Sequence, residues 1–374
     1  MEPEMRGTDF KRLASLDVFR GLTIAGMVLV NNPGSWKHVL PPLRHADWHG
    51  WTPADLVFPF FVFIVGVSLA LSLSARREAP ETRRTILGKI LFRSGILFVL
   101  GLFLHLFPKF HTSGMRLPGV LQRIALCYLI ASLIYLTSGK RTRLAVFLAL
   151  LAGYGLALKL VSVPGFGPGV LTPEGNLAGH IDRLLLSGHL YRPGFDPEGL
   201  LSTLPAVATA LLGTLAGDLL RTDRTLVRKA AVSMGWGAVL AVSGLLLHPL
   251  LPVNKQLWTS TFVLFTGGAA LVLLGPLLVV VELFRFRFWA YPFFVLGTNA
   301  VAVYVLSTLA TKILLWIRVG SGGGGSSLYS WIYHHVFASW AGASAGSLVF
   351  ALGYVLLWVL LFIPLYRRGI FIKI

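Results

Sequence analysis

The sequence predicts an all-α polytopic membrane protein, a bundle of about ten transmembrane helices forming one domain over residues 1–374, with both termini cytoplasmic. Three observations carry this. Of 374 residues 55% are hydrophobic and 13% charged, and the mean hydropathy is +0.74, far above that of a water-soluble domain of this size. The apolar residues come in runs of roughly 20, the length that crosses about 30 Å of hydrocarbon. These runs carry Leu, Ala, Val and Phe on every face, so they read as helices rather than as the short alternating strands of a barrel.

The first run, 16–32, follows a charged lead with Arg6, Lys11 and Arg12 and ends in Asn31-Asn32-Pro33-Gly34. Without a small-residue cleavage site it reads as a retained span, not a signal peptide. The second, 54–75, is followed by Arg76, Arg77, Arg83 and Arg84. The third and fourth, 86–107 and 118–137, lead to Lys140, Arg141 and Arg143. The fifth and sixth, 143–163 and 199–219, lead to Arg221, Arg224, Arg228 and Lys229. The seventh and eighth, 229–250 and 258–282, lead to Arg285 and Arg287, and the ninth and tenth, 288–316 and 345–366, to Arg367, Arg368 and Lys373.

Basic residues thus occupy alternate loops, which the positive-inside rule places in the cytoplasm. Loops 33–51, 108–117, 164–198, 251–257 and 317–327 then lie outside. This alternation also accounts for the net charge of +18 without a nucleic-acid partner. Segment 164–198, rich in Gly and Pro, reads mostly as a solvated connector with short helical turns, although its His180, Asp182, His189, Asp196 and Glu198 offer a binding surface. Gly320–Ser327 is a flexible Gly/Ser stretch, and 328–343, with Trp331, Tyr333 and Trp340, suits an interfacial or re-entrant helix. The sole cysteine, Cys127, falls inside the fourth run, which excludes an intrachain disulfide and a cysteine metal cage.

Ionisable groups in a membrane protein are costly, about 2.5–3.5 kcal/mol each at mid-helix, so their positions are informative. The densest group is His45, Asp47, His49 and Asp55, set against the outer start of the second span. Imidazole exchanges protons near neutral pH, so His45 and His49 are each candidates for a general base or a covalent carrier, with Asp47 or Asp55 to orient one of them. Asn31 and Asn32 offer amides for a carbonyl or an oxyanion at the break that ends the first span. Asp17 and Arg20, three apart, share a helix face and can pair. Gln122 and Arg123 open the fourth span, where an arginine either snorkels outward or holds an anion. The spacing of His45, Asp47 and His49 closes no metal shell, and no metal is expected.

Ser15-Leu-Asp17-Val-Phe-Arg20-Gly21, Val30-Asn31, His45-Ala-Asp-Trp48-His-Gly50 and Ala54-Asp55-Leu-Val-Phe-Pro59 open a series of motifs. The series continues with Gly119-Val-Leu-Gln122-Arg123, Asp196-Pro-Glu198-Gly199-Leu-Leu-Ser-Thr203, Pro252-Val-Asn254-Lys255-Gln-Leu-Trp258 and Gly297-Thr-Asn299. In order and over nearly the whole chain, these motifs resemble the catalytic membrane domain of the heparan-α-glucosaminide N-acetyltransferase family. The resemblance implies transfer of an acetyl group from cytoplasmic acetyl-CoA to an amino-sugar or glycan acceptor across a lipid bilayer, by a multi-pass protein of a cell membrane, here a bacterial inner membrane. It suggests a dimer.

The same resemblance singles out His45 as the catalytic histidine, with Asn31 beside the acetyl group and Asp55 as the supporting carboxylate. Arg20, Asp17, Gln122, Arg123 and Asn299 are then expected to serve the acetyl-CoA co-substrate. Asp47, His49, Asp196, Glu198, Asn254 and Lys255 are expected to face the acceptor. At Asn32-Pro33 the chain departs from the family's aromatic-glycine pair. Two other activities fit the composition: a transporter of a sugar or small anion, lined by Asp17/Arg20 and Gln122/Arg123, and an O-acyltransferase of a cell-envelope glycan.

Overall fold

The computed structural model describes residues 13–78, 82–320 and 325–372; the basic residues Arg6, Lys11, Arg12 and Lys373 and the centre of the Gly/Ser stretch lie outside them. The helices are α1 Ala14–Asn31, α2 Pro53–Glu78, α3 Arg83–Leu106, α4 Val120–Thr137, α5 Lys140–Leu160 and the short α6 Leu177–Leu186. They continue with α7 Thr203–Leu220, α8 Leu226–Leu246, α9 Ser260–Leu277, α10 Tyr291–Thr298 and α11 Ala300–Trp316. The last are α12 Leu328–Ile332, α13 Ser339–Ala341 and α14 Ala343–Arg367. Strand pairing among the described residues is confined to two small hairpins, β1 Ser162–Val163 with β2 Gly167–Pro168 and β3 Arg318–Val319 with β4 Ser326–Ser327.

Nine helices among the described residues are long and apolar enough to cross a membrane, and a bent pair makes a tenth. That pair corrects one expectation. The run 288–316 reads as a continuous span, but the chain turns by 76° between Phe288–Thr298 and Ala300–Trp316. Asn299 sits at the corner as N-cap of α11.

Helix packing follows membrane rules, in which small residues let backbones meet because burial of apolar area no longer drives association. α2 runs against α7 through Gly66 and Gly213: a methyl group on Gly66 would come within 2.0 Å of the Ala210 carbonyl oxygen, and one on Gly213 within 2.1 Å of that of Phe63. This fixes the depth of α2, and so the height of Asp55 in its first turn. α2 and α7 lie at the centre of the bundle, with about two thirds or more of their lengths buried, whereas α5 and α8 are about a quarter buried and present apolar faces outward.

At one end of the bundle three long loops interlock, and part of 164–198, read as mostly a solvated connector with short helical turns, is drawn into the interior there. Leu171, Asn176, Leu177, Asp182 and Phe195 are all buried. Trp48 supplies the link, since its indole N–H donates to the Leu171 carbonyl at 2.7 Å and its ring meets Phe195 edge-on at 5.0 Å. The Gly50 amide donates to the Val253 carbonyl at 2.8 Å, closing the third side.

Candidate active site

The start of α2 is built around Asp55. Thr52 precedes the helix and Asp55 lies three residues on; the Asp55 carboxylate reaches back to accept the Thr52 amide at 3.0 Å and its hydroxyl at 3.2 Å, the carboxylate half of a capping box, while the Asp55 amide donates to the Thr52 carbonyl at 2.9 Å. The same oxygen, Oδ2, accepts the Ala46 amide at 3.1 Å. With two backbone donors fixed, Oδ1 is left to face His45 Nδ1 at 2.7 Å and Lys255 Nζ at 3.3 Å. Asp55 is fully buried, which makes these contacts necessary, because an unpaired buried carboxylate is very costly.

This geometry assigns the imidazole tautomer. A carboxylate only accepts, so Nδ1 carries the proton directed at Asp55, and Nε2 of the neutral ring keeps its lone pair. Lys255 Nζ stands 3.0 Å from Nδ1 and 3.3 Å from Nε2. Near-equal approach to both nitrogens places the ammonium against the ring rather than in line with one lone pair. Burial lowers the pKa of Lys255, opposed by the carboxylates of Asp55 and Glu198.

His45, Lys255, Asn31 and Glu198 line a single cavity of about 110 Å³, walled by Met27, Val30, Ala54, Val57, Phe58 and Val120. It is well below the roughly 300–1,000 Å³ of pockets that enclose a whole ligand. Asn31 is the exposed last residue of α1. Its neighbour Asn32 is structural: Nδ2 donates to the Val28 carbonyl at 2.7 Å and Oδ1 accepts from the Thr311 hydroxyl at 2.5 Å, tying α1 to α11.

Glu198 is held from behind by a residue that sequence reasoning missed. Arg116 grips Asp196 with two donors, Nε to Oδ2 at 2.8 Å and Nη2 to Oδ1 at 2.6 Å, and Nη2 also pairs with Glu198. Asp196 further accepts the amides of Tyr191 at 2.8 Å and Glu198 at 2.9 Å. Despite burial, these bonds hold its pKa below the usual carboxylate range. Asp196 therefore shapes the loop, and Glu198 alone of the two reaches the cavity.

The other expected residues divide by place. Asp47 pairs on the surface with Arg44 at 2.7 Å and does not approach His45's partner position. His49 lies 3.2 Å from the Asn254 amide, and partial burial and then His248 lower its pKa. Asn254 in turn accepts the Leu257 amide at 2.8 Å, bracing the loop that carries Lys255.

The five residues expected to serve acetyl-CoA do not converge. Asp17 and Arg20 pair at 3.0 Å, and Arg20 also donates to the Ser68 hydroxyl at 2.8 Å. At 1.5 Å rise per residue, Asp17 is about 21 Å along α1 from Asn31. Asn299 belongs to that distant end too, its amide bonded to the Ile370 carbonyl at 3.3 Å and the Ile372 amide at 2.7 Å. Gln122 and Arg123 stand at the His45 end instead. Arg123 neither snorkels nor pairs with a carboxylate: it is 1% exposed, donates to the Gly199 carbonyl at 3.1 Å and to Ser202, and lies 5.0 Å over the Trp258 ring. No group of three or more His, Cys, Asp or Glu fit to hold a metal occurs among the described residues.

A family model described as heparan-alpha-glucosaminide N-acetyltransferase, catalytic, matches residues 12–246. The chain is 32% identical over 356 residues to the heparan-alpha-glucosaminide N-acetyltransferase of Homo sapiens, a match covering 79% of this chain and 52% of that protein. To the protein of the same name from Mus musculus it is 31% identical over 368 residues, covering 81% and 54%. The chain thus spans about half the length of the curated relatives it matches. Asn31, His45, Asp55 and Glu198 lie within the residues that the family model matches, and Lys255 lies beyond them.

Proposed function

Because the chain belongs to the heparan-alpha-glucosaminide N-acetyltransferase catalytic family, we propose that it is an acetyl-CoA-dependent acetyltransferase acting on an amino-sugar or amino-bearing glycan acceptor. The observation that carries this reading is the His45–Asp55 pair at 2.7 Å, opening on a cavity of acetyl-group size. His45 Nε2 takes the proton from the acceptor amine as its nitrogen attacks the thioester carbonyl carbon. Asn31 donates its amide N–H to the oxyanion that forms. Collapse breaks the carbon–sulfur bond, and His45 returns the proton to the departing CoA sulfur. Asp55 holds the ring and balances the charge of the transient imidazolium. Glu198, paired with Arg116, accepts a hydrogen bond from the acceptor.

The cavity is too small for CoA, so the nucleotide lies outside it. In our reading the donor enters from the cytoplasmic end of the bundle, where Arg20 offsets phosphate charge, and the acceptor comes from the His45 end. The residues assigned to CoA reduce accordingly to the Arg20 end; Gln122 and Arg123 are not among the residues that line the cavity.

The test is transfer from radiolabelled acetyl-CoA in membranes carrying wild type, His45→Ala or His49→Ala, offered glucosamine, its glycosides and sugars with hydroxyls only. We expect label on the amines, a loss of at least about 100-fold for His45→Ala, and less than about threefold for His49→Ala. Full activity of His45→Ala rules out this mechanism, and label on hydroxyl-only sugars makes the protein an O-acyltransferase.

A further inference from the structure

We propose that Lys255 is a catalytic residue: its ammonium stabilises the oxyanion of the acetyl-transfer step and does not bind the acceptor. The inference deepens the reading above and rests on it. Lys255 is the one cation among the residues that line the cavity; the others bring an imidazole, an amide, a carboxylate and apolar side chains. Arg116 answers the charge of Glu198 from behind, so Lys255 is not consumed there. Its place is preset, because Asn254 next to it is locked by the Leu257 amide at 2.8 Å and by its own amide on the Thr259 hydroxyl at 3.1 Å. Preorganised charge of this kind costs no rearrangement when the reaction occurs.

Lys255 and His45 share Oδ1 of Asp55, and the sharing couples two events. Before reaction Asp55 balances Lys255, and the imidazole is neutral. As the acceptor nitrogen forms its bond to the carbonyl carbon, the carbonyl π electrons move to oxygen and the amine proton moves to Nε2. The new imidazolium now balances Asp55, so the charge of Lys255 becomes available as the oxyanion appears. The site is neutral in both states. When the carbon–sulfur bond breaks, the proton leaves Nε2 for sulfur and Asp55 returns to Lys255.

An acceptor-binding role fits less well. An ammonium against the imidazole repels a protonated sugar amine and favours the neutral amine, the form with a lone pair to donate. It therefore acts on the reacting centre, through the difference between ground and transition states.

The experiment compares wild type with Lys255→Met and Lys255→Cys in detergent, each checked by size-exclusion chromatography and melting. Lys255→Met is expected to lower kcat by about 10²–10³-fold with KM for acetyl-CoA, and stabilisation by acetyl-CoA, changed less than threefold. Alkylating Lys255→Cys with bromoethylamine restores an ammonium at the same reach and is expected to recover at least tenfold in kcat; the buried native Cys127 is shielded from the reagent. A Lys255→Met enzyme within threefold of wild type in kcat overturns the inference. So does an acetyl-CoA affinity that falls in step with kcat, or alkylation that restores nothing. A wild type that acetylates no acceptor overturns the underlying reading itself.

Discussion

Asp55 does two jobs with two oxygens, and the division is testable by a substitution that preserves shape. Oδ2 is committed to the amides of Ala46 and Thr52, while Oδ1 meets His45 and Lys255. Asp55→Asn keeps one acceptor oxygen but replaces the other with a donor. If the amide oxygen serves the backbone, the NH₂ faces Nδ1, which must then accept, and the imidazole proton moves to Nε2. The wrong nitrogen is left to act as base. Asp55→Asn should therefore lower kcat by at least about 100-fold, whereas Asp47→Asn, at an exposed pair with Arg44, should stay within about twofold. Steady-state rates on the two purified variants, with folding checked by melting, decide it; equal losses would remove Asp55 from its orienting role. At this scale much was legible from residue types: a histidine, a carboxylate and an amide at a membrane edge. The fold separates Asp55 from Asp47: the carboxylate of Asp55 takes the Thr52 and Ala46 amides, whereas Asp47 stays at the surface with Arg44. Lys255 was not separable, since its contact with His45 spans 210 positions and exists only after two loops interlock.

The loop between α5 and α7 shows where reading by element fell short. Gly and Pro content signalled a solvated connector, yet α6 plants Asp182 in the interior, 1% exposed. There Oδ1 accepts the Leu200 amide at 2.9 Å, and Oδ2 has no hydrogen-bond partner within the protein. Composition cannot report such burial, because α6 packs its Leu177 and Ala178 into a cluster completed by Tyr154, Leu158 and Leu257 of other elements. Likewise Arg116 reads as one more basic loop residue until Asp196 and Glu198, about eighty positions later, fold onto it. Burial, opposed by the Leu200 amide and reinforced by the charge of Asp196, pushes Asp182 up to about 6. Between the unfolded value near 4 and this folded value the native state binds the extra proton. Stability from this group is therefore lost as pH rises through that window, by at most about 3 kcal/mol. Asp182→Asn keeps the acceptor for Leu200 and removes the titration. Melting temperatures measured from pH 4.5 to 7.5 should thus show wild type losing ground to Asp182→Asn as pH increases, levelling above about pH 7. A constant difference between the two proteins across that range would mean that Asp182 does not carry the proton.

At the scale of the whole molecule, the proposed reaction requires an acetyl group to pass from one end of the bundle to the other. His45 and its cavity occupy one end of the bundle, and in the proposed orientation the end that receives the CoA phosphates lies about 21 Å away along α1. Arg221, Arg224 and Arg228 surround the turn from α7 to α8 at that far end, while Asp47 stands exposed on the loop that carries His45. The proposed orientation rests on loop charge at insertion and not on the packed fold, since the helices would pack equally well either way up. An experiment on intact cells therefore has to supply what geometry does not. The single cysteine, Cys127, is buried and gives little background, which makes introduced thiols clean reporters. With Asp47→Cys, a membrane-impermeant maleimide should label intact cells. With Arg224→Cys it should label only after permeabilisation, and adding acetyl-CoA to inside-out vesicles should then support transfer without detergent. Labelling of Arg224→Cys from outside would invert the molecule, placing His45 on the same side as cytoplasmic acetyl-CoA. The acetyl group would then have no membrane to cross, and an acceptor on that same side would have to be sought.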